Sequence, residues 1–350
     1  MRRLLLYGAF ALAALVVAGA IGAYVLVFAP NTLAYDDERG VKIPRGAGFG
    51  EALDSLEAAG ILASRGSLHL LGKVTGWGNQ MKAGYYTFES GASNRHMLDV
   101  IRRGLQSPMR LTLPPGTRPA VMAAVAGRTM AFDSLSFHRA LLDTALASRL
   151  DADTTTLFGY MMPETYFFYW LTSPDAVIAR VKEDFDDFYT NGLAEPAQAR
   201  GLSKRELTIL ASIVEWESDH DDERPAIAGV YLNRLRRGMP LQADPTVQYA
   251  ILASEGARRR LLYEDYRIEH AYNTYLRTGL PPGPITNPSR ASLLAAANAE
   301  DHDFFYFVAR GDGRHVFSRT LAEHNRAARQ YHELMRQRRA ELRAQENGGR

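Results

Sequence analysis

A run of 26 residues, Leu4 to Ala29, contains no charged side chain, and it constrains this chain more than any other feature. Arg2 and Arg3 precede it; Pro30, Asp36, Asp37 and Glu38 follow. About 20 apolar residues in a helix cross the hydrocarbon core of a bilayer, so the run can span one with some tilt. A cleaved signal peptide has a shorter apolar core ending at a small-x-small site. Ala18 and Ala20 resemble one weakly, but the apolar run continues past them. The pattern predicts an uncleaved transmembrane anchor over residues 1–30. The positive-inside tendency keeps Arg2 and Arg3 cytoplasmic and leaves the rest of the chain outside.

That remainder is long enough for two or three domains in a chain of 350 residues, and 46% hydrophobic with 23% charged residues is ordinary globular composition. There is no cysteine, so the domains are held by apolar cores and not by disulfides, which fits a bacterial envelope protein. A formal net charge of +2, without basic residues interleaved with aromatics, argues against nucleic acid as a partner.

Residues 31–38 read as a polar linker. A pattern then occurs three times, in IPRGAGFGEALDSL from Ile43, FESGASNRHMLDVI from Phe88 and LPPGTRPAVMAAVA from Leu113. Aligned on Gly46, Gly91 and Gly116, apolar helix positions coincide at Leu53, Leu98 and Ala123, and again at Leu56, Ile101 and Ala126. Each copy reads as a strand, a glycine turn and a helix. With a helical pattern over 67–76 and a strand over 84–88, residues 39–107 form a small βααβ module. That arrangement resembles a LysM-like domain, a fold often used for glycan chains; a spacer is the alternative. Tyr85, Tyr86 and Phe88 read either as core or as a sugar-stacking surface.

A larger mixed α+β domain follows over 108–345. A helix is expected over 134–147, a core or groove wall over 157–170, a helix from Pro174 to about Tyr189, and a loop over 192–201. Ser203 and Glu206 form a capping box opening a central helix, and another helix runs from Arg224 to Arg237, closing at Gly238. Four prolines between 281 and 288 stiffen a loop. A hairpin over 304–318 precedes a C-terminal helix capped by Thr320 and Glu323, whose last residues are expected to fray.

HExxH, paired CxxC, GxSxG, Walker and dinucleotide-binding patterns are all missing, so no cofactor is expected. The acids Asp219, Asp221, Asp222 and Glu223, with His220, read as a solvated loop better than as a metal site. That leaves carboxylates. Glu215 lies about 80° from Leu207 around the central helix, on the flank of the buried stripe. Glu215 and Glu217 are about 200° apart and cannot face one bond together, so one acts alone. Either Glu215 is a general acid, or it is a flank residue satisfied by Arg224 or Arg234.

A resemblance bears on that choice. ASIVEWES, ERPAIAGVYLNRLRRGMPLQADPTVQYA from Glu223, AYNTYLRTGLPPGPITNP from Ala271 and YFVARGDGRHVFSRTLAEHN from Tyr306 resemble, in order and spacing, the MltG-type (YceG-like) endolytic murein transglycosylases. The resemblance implies a membrane-anchored enzyme in the cytoplasmic (inner) membrane that cuts nascent glycan strands and works beside peptidoglycan synthases (penicillin-binding proteins). It implies that the first glutamate of the VE-x-E motif, Glu215, is catalytic. Asn233, Gln242, Asp244, Thr246 and Gln248 are implied substrate contacts, as are Tyr272, Asn273, Thr274 and Tyr275 opposite them; for each, a structural role is the alternative. Similar sequences often carry an acid at Pro115 and at Phe158, which touches subsites. One carboxylate suffices if the 6-hydroxyl of N-acetylmuramic acid closes a 1,6-anhydro ring at its own C1. A hydrolytic muramidase would use Glu164 or Asp244 as a second acid. A non-catalytic glycan-binding scaffold is the remaining alternative.

Overall fold

The chain separates into two units in its computed structural model, which describes residues 2–348. The first unit is Met1–Leu111 with Thr129–Phe132 and Phe167–Ser173. It begins with α1 (Arg2–Phe28), whose 24-residue stretch Leu5–Phe28 has mean hydropathy 2.5 and is not buried by the protein. By length and composition this helix fits a single-pass membrane anchor. The module after it runs β1 (Arg39–Ile43), α2 (Phe49–Ala58), α3 (Arg65–Thr75), β2 (Gly84–Phe88) and α4 (Asn94–Arg103). β1 and β2 pair antiparallel with Val41 opposite Tyr86. Leu53, Leu56, Leu98 and Ile101 meet Val41, Tyr86 and Phe88 in one core. Tyr86 and Phe88 are therefore core residues, and Tyr85 alone of the three is partly exposed. The start of the expected linker is not free. Asn31 is buried, donating to Ser64 O (2.9 Å) and Asn94 Oδ1 (2.6 Å), and the Thr32 hydroxyl accepts from Gly91 N (2.7 Å).

The second unit is Thr112–Arg128, Asp133–Tyr166 and Pro174–Arg350. The chain reaches it through β3 (Met109–Thr112), then forms α5 (Pro119–Thr129), α6 (Ser134–Leu141), α7 (Thr144–Arg149), β4 (Thr165–Phe168), α8 (Pro174–Phe188) and α9 (Ala194–Ala199). There follow α10 (Lys204–Glu217), α11 (Arg224–Arg236), α12 (Asp244–Glu255), α13 (Arg290–Ala297), the hairpin β5 (Tyr306–Ala309) with β6 (His315–Ser318), and α14 (Leu321–Gly348). The last residues, where fraying is expected, are helical as far as Gly348; 349 and 350 lie outside the described residues.

The threefold strand, glycine turn and helix pattern is present as β1 to α2, β2 to α4 and β3 to α5. Gly46, Gly91 and Gly116 have φ of 79°, 88° and 59°, a left-handed conformation that a side chain disfavours. Three expectations need correction. The helix over 134–147 is two helices, because Asp143 caps a new one by accepting from Leu146 N (2.8 Å). The loop expected over 192–201 is a π turn, Tyr189–Leu193, leading into α9. α10 has no single buried stripe: Leu207 to Val214 are all buried, because α11, α12 and α13 surround it. Thr208 and Ser212 survive that burial by donating to Lys204 O (2.9 Å) and Ile209 O (2.7 Å).

Candidate active site

α10 starts on the expected capping box, with Ser203 N donating to Glu206 Oε2 (2.9 Å) and Glu206 N to Ser203 Oγ (3.3 Å). It ends at Glu217, where Ser218 turns extended with φ −144°. Glu217 emerges there into a cavity of about 460 Å³, lined also by Tyr231, Arg234, Gln242, Asp244 and Tyr275. β5, His315 and His324 complete the wall. The Tyr231 hydroxyl donates to Glu217 Oε1. Loss of water around the carboxylate, with the negative charge of Asp244 adding to it, pushes the Glu217 carboxyl up to about 7; the Tyr231 hydroxyl and Arg234 oppose that shift. Such a carboxyl can give up a proton near neutral pH.

Arg234 builds the cavity's rim. Its Nε donates to Phe305 O (2.6 Å) and its Nη1 to Leu241 O (2.7 Å), tying β5's lead-in to the turn before α12. In that turn Gln242 has φ 49°, unusual for a residue with a side chain, and its N–H is held by Thr274 O (3.1 Å). Asp244 accepts the hydroxyls of Tyr275 on Oδ1 (2.6 Å) and Tyr266 on Oδ2 (3.3 Å). Burial and the neighbouring Asp244 charge raise both phenols above their ordinary range, that of Tyr266 to about 12. They stay protonated as donors to Asp244, whose two oxygens are both occupied.

Glu215 points elsewhere. Its Oε2 accepts from Ser289 N (2.9 Å) and Ser289 Oγ (2.6 Å), and Arg224 Nη2 lies 4.0 Å from Oε1. It fastens the start of α13 to α10 and does not line the cavity. The two glutamates do diverge, as their helical spacing requires, but the one that meets the cavity is Glu217. With α10 buried all round, a position on the flank of one stripe does not mark the open side; the helix end does.

The other expected contacts divide into three groups. Gln242, Asp244 and Tyr275 line the cavity. Asn233, Thr246, Asn273 and Thr274 hold up its walls. Asn233 Nδ2 donates to His302 O (2.7 Å), Thr246 and Thr274 share a hydroxyl hydrogen bond (2.8 Å), and Asn273 Oδ1 accepts from Tyr275 N (2.9 Å). Gln248 and Tyr272 are outside it: Gln248 donates to Arg259 O (2.9 Å) and Tyr272 packs its ring 4.4 Å from Tyr249. Glu164 pairs with Arg290 (2.5 Å), also outside the cavity. Phe158 is buried in the core. In the acidic run, Asp221 pairs with Arg224 and Asp222 with Arg314, while Glu223 meets His315. Sequence reasoning passed over Tyr231, His315 and His324; Tyr231 and Arg234, three apart on α11, share a helix face and could have been found that way.

Fold and cavity together define a class: a mixed α+β protein in which one partly desolvated carboxyl, at the end of a buried helix, faces a polar, tyrosine-walled hollow. The chain belongs to the YceG-like family, whose sequence model matches residues 41–330. It is similar to the endolytic murein transglycosylase of Bacillus subtilis, 29% identical over 311 residues, covering 83% of this chain and 84% of the relative. It is 27% identical over 320 residues to the protein of that name from Streptococcus pneumoniae, covering 82% of this chain and 57% of the longer relative. A crystal structure of a putative yceG-like protein from Listeria monocytogenes matches with a TM-score of 0.56 and 26% identity, covering 83% of this chain and 98% of that one.

Proposed function

We infer that this chain is an endolytic lytic transglycosylase of peptidoglycan and that Glu217 is its general acid. The observation carrying the second part is that Glu217, and not Glu215, opens into the cavity with Tyr231 donating to its Oε1, beside an Asp244 whose oxygens are both engaged by tyrosines; burial that raises its carboxyl to about 7 supports it. In this reading Glu217 protonates the departing oxygen of the β-1,4 bond between N-acetylmuramic acid and N-acetylglucosamine. The 6-hydroxyl of the muramoyl residue attacks its own C1, and the proton it sheds restores the acid. Because nucleophile and electrophile belong to one sugar, proximity supplies much of the rate and no activated water is required. Tyr231 holds Oε1, so the proton sits on Oε2, the oxygen free to meet substrate. Gln242 and Tyr275 offer hydrogen bonds to sugar hydroxyls and acetamido groups.

The same reading makes α1 an anchor in the cytoplasmic membrane with the catalytic domain outside. It makes residues 39–107 a LysM-like module that follows the glycan, and peptidoglycan synthases the neighbours that deliver nascent strands. Mass spectrometry of digested sacculi tests the reaction. Anhydromuramoyl ends are expected; reducing ends alone would mean hydrolysis, and no new ends would mean a binding scaffold.

A further inference from the structure

His315 lines the cavity with Glu217 and is backed by a carboxylate that does not line it. Glu223, at the start of α11, accepts on Oε2 from the ring Nδ1 of His315 (2.9 Å) and on Oε1 from the backbone N–H of the same residue (3.1 Å). Both side chains are nearly buried, 10% and 12% exposed, so this is no loose surface pair. Arg314 Nη1 lies 3.8 Å from Oε1, and the Phe307 ring stands edge-on to the imidazole at 5.3 Å and 87°. The ring is thus fixed in position and in tautomer. With Nδ1–H given to the carboxylate, neutral His315 carries its lone pair on Nε2, which has no hydrogen-bond partner among the described residues. His315 lines the same cavity as Glu217. A carboxylate hydrogen-bonded to one ring nitrogen fixes the tautomer and orientation of an imidazole so that the other nitrogen can accept a proton.

We propose that His315 is the catalytic base that takes the proton of the attacking hydroxyl, with Glu223 as its positioning residue. This rests on the transglycosylase reading and divides the labour that one carboxyl would otherwise perform alone. As the O6–H proton passes to Nε2, the O6 electron pair forms the bond to C1. The C1–O4 bond breaks, and its electron pair takes the proton of Glu217. The site is left with an imidazolium held by the Glu223 carboxylate and an ionised Glu217. Loss of one proton to solvent and uptake of another return both groups to their starting forms, so nothing else is consumed.

The test compares H315A, E223Q and E217Q with the wild type on purified glycan strands, each variant first checked by its melting temperature. For H315A the expected result is a kcat at least about 100-fold lower with KM within about threefold, and recovery of at least tenfold on adding imidazole. A kcat within threefold of wild type, or a loss that imidazole does not relieve in a normally folded variant, would overturn the assignment. E223Q keeps the shape and removes the charge behind the ring; about a tenfold lower kcat is expected, and an unchanged kcat counts against the proposal even if H315A does not fold. The two readings fail separately. An active E217Q removes the general acid and the reading beneath it, whereas an inactive E217Q beside a wild-type H315A removes only the base.

Discussion

At the scale of the residue, Glu217 is a carboxyl whose burial is paid for in stability. Its folded pKa of about 7 stands above the ordinary 4.5. Below pH 4.5 the group is protonated in both folded and unfolded chains and has no effect. Between the two values the folded protein keeps a proton that the unfolded chain has lost, so stability falls as pH rises through about 7, by about 3 kcal/mol in all. Glu217→Gln removes the ionisation. Urea unfolding at pH 5 and pH 8 should show the variant gaining on the wild type at the higher pH, and an equal difference at both would contradict the shift. Tyr231→Phe removes the donor that favours the carboxylate, so the Glu217 pKa rises further. The alkaline limb of activity should then move to higher pH in a pH–rate profile. Part of this was legible in the sequence: a spacing of two forces Glu215 and Glu217 apart on any helix. Which of them meets the cavity was not, since that depends on α11, α12 and α13 closing around α10 and leaving its end open.

At the scale of the element, local chemistry shows through wherever a side chain satisfies a backbone group within a few residues. The capping box at Ser203 and Glu206, the left-handed glycines that close α4 (Gly104) and turn the chain ahead of α2 (Gly46), and the hairpin between β5 and β6 all have local signals. Ser203→Ala should lower the unfolding free energy by about 1 kcal/mol in urea titrations, with kcat unchanged because the cap lies at the end of α10 far from Glu217. Where competing signals met, the pattern misled. Asp143 splits a continuous helical periodicity by capping a new helix, and Gly192 sits in a π turn where a loop was the simpler reading. α12 opens with Pro245 in its first turn and α13 is capped by Ser289, so both carried start signals. Ser289 does double duty, since its hydroxyl accepts from Ser292 N (3.3 Å) and donates to Glu215. A serine with a structural glutamate for a partner gives no sign of that in sequence.

At the scale of the whole molecule, an apolar helix is joined to a module against whose core Leu26 and Val27, partly buried at that helix's end, are packed. Asn94 Nδ2 donates to Leu26 O (2.8 Å), so the helix end belongs to the first unit's fold. Removing residues 1–24 should move the protein from the membrane fraction to the soluble one while leaving glycan cleavage intact; removal through residue 30 should also lower the melting temperature. Above all, Glu217 acts as the acid and Glu215 as a structural tie. The most direct measurement of these roles is the yield of anhydromuramoyl ends from sacculi digested side by side by wild type, E217Q and E215Q, normalised to folded protein. E217Q is expected to lose at least about 100-fold, and E215Q, though less stable, to keep most of the yield. Loss of product in E215Q with cleavage retained in E217Q would contradict these roles.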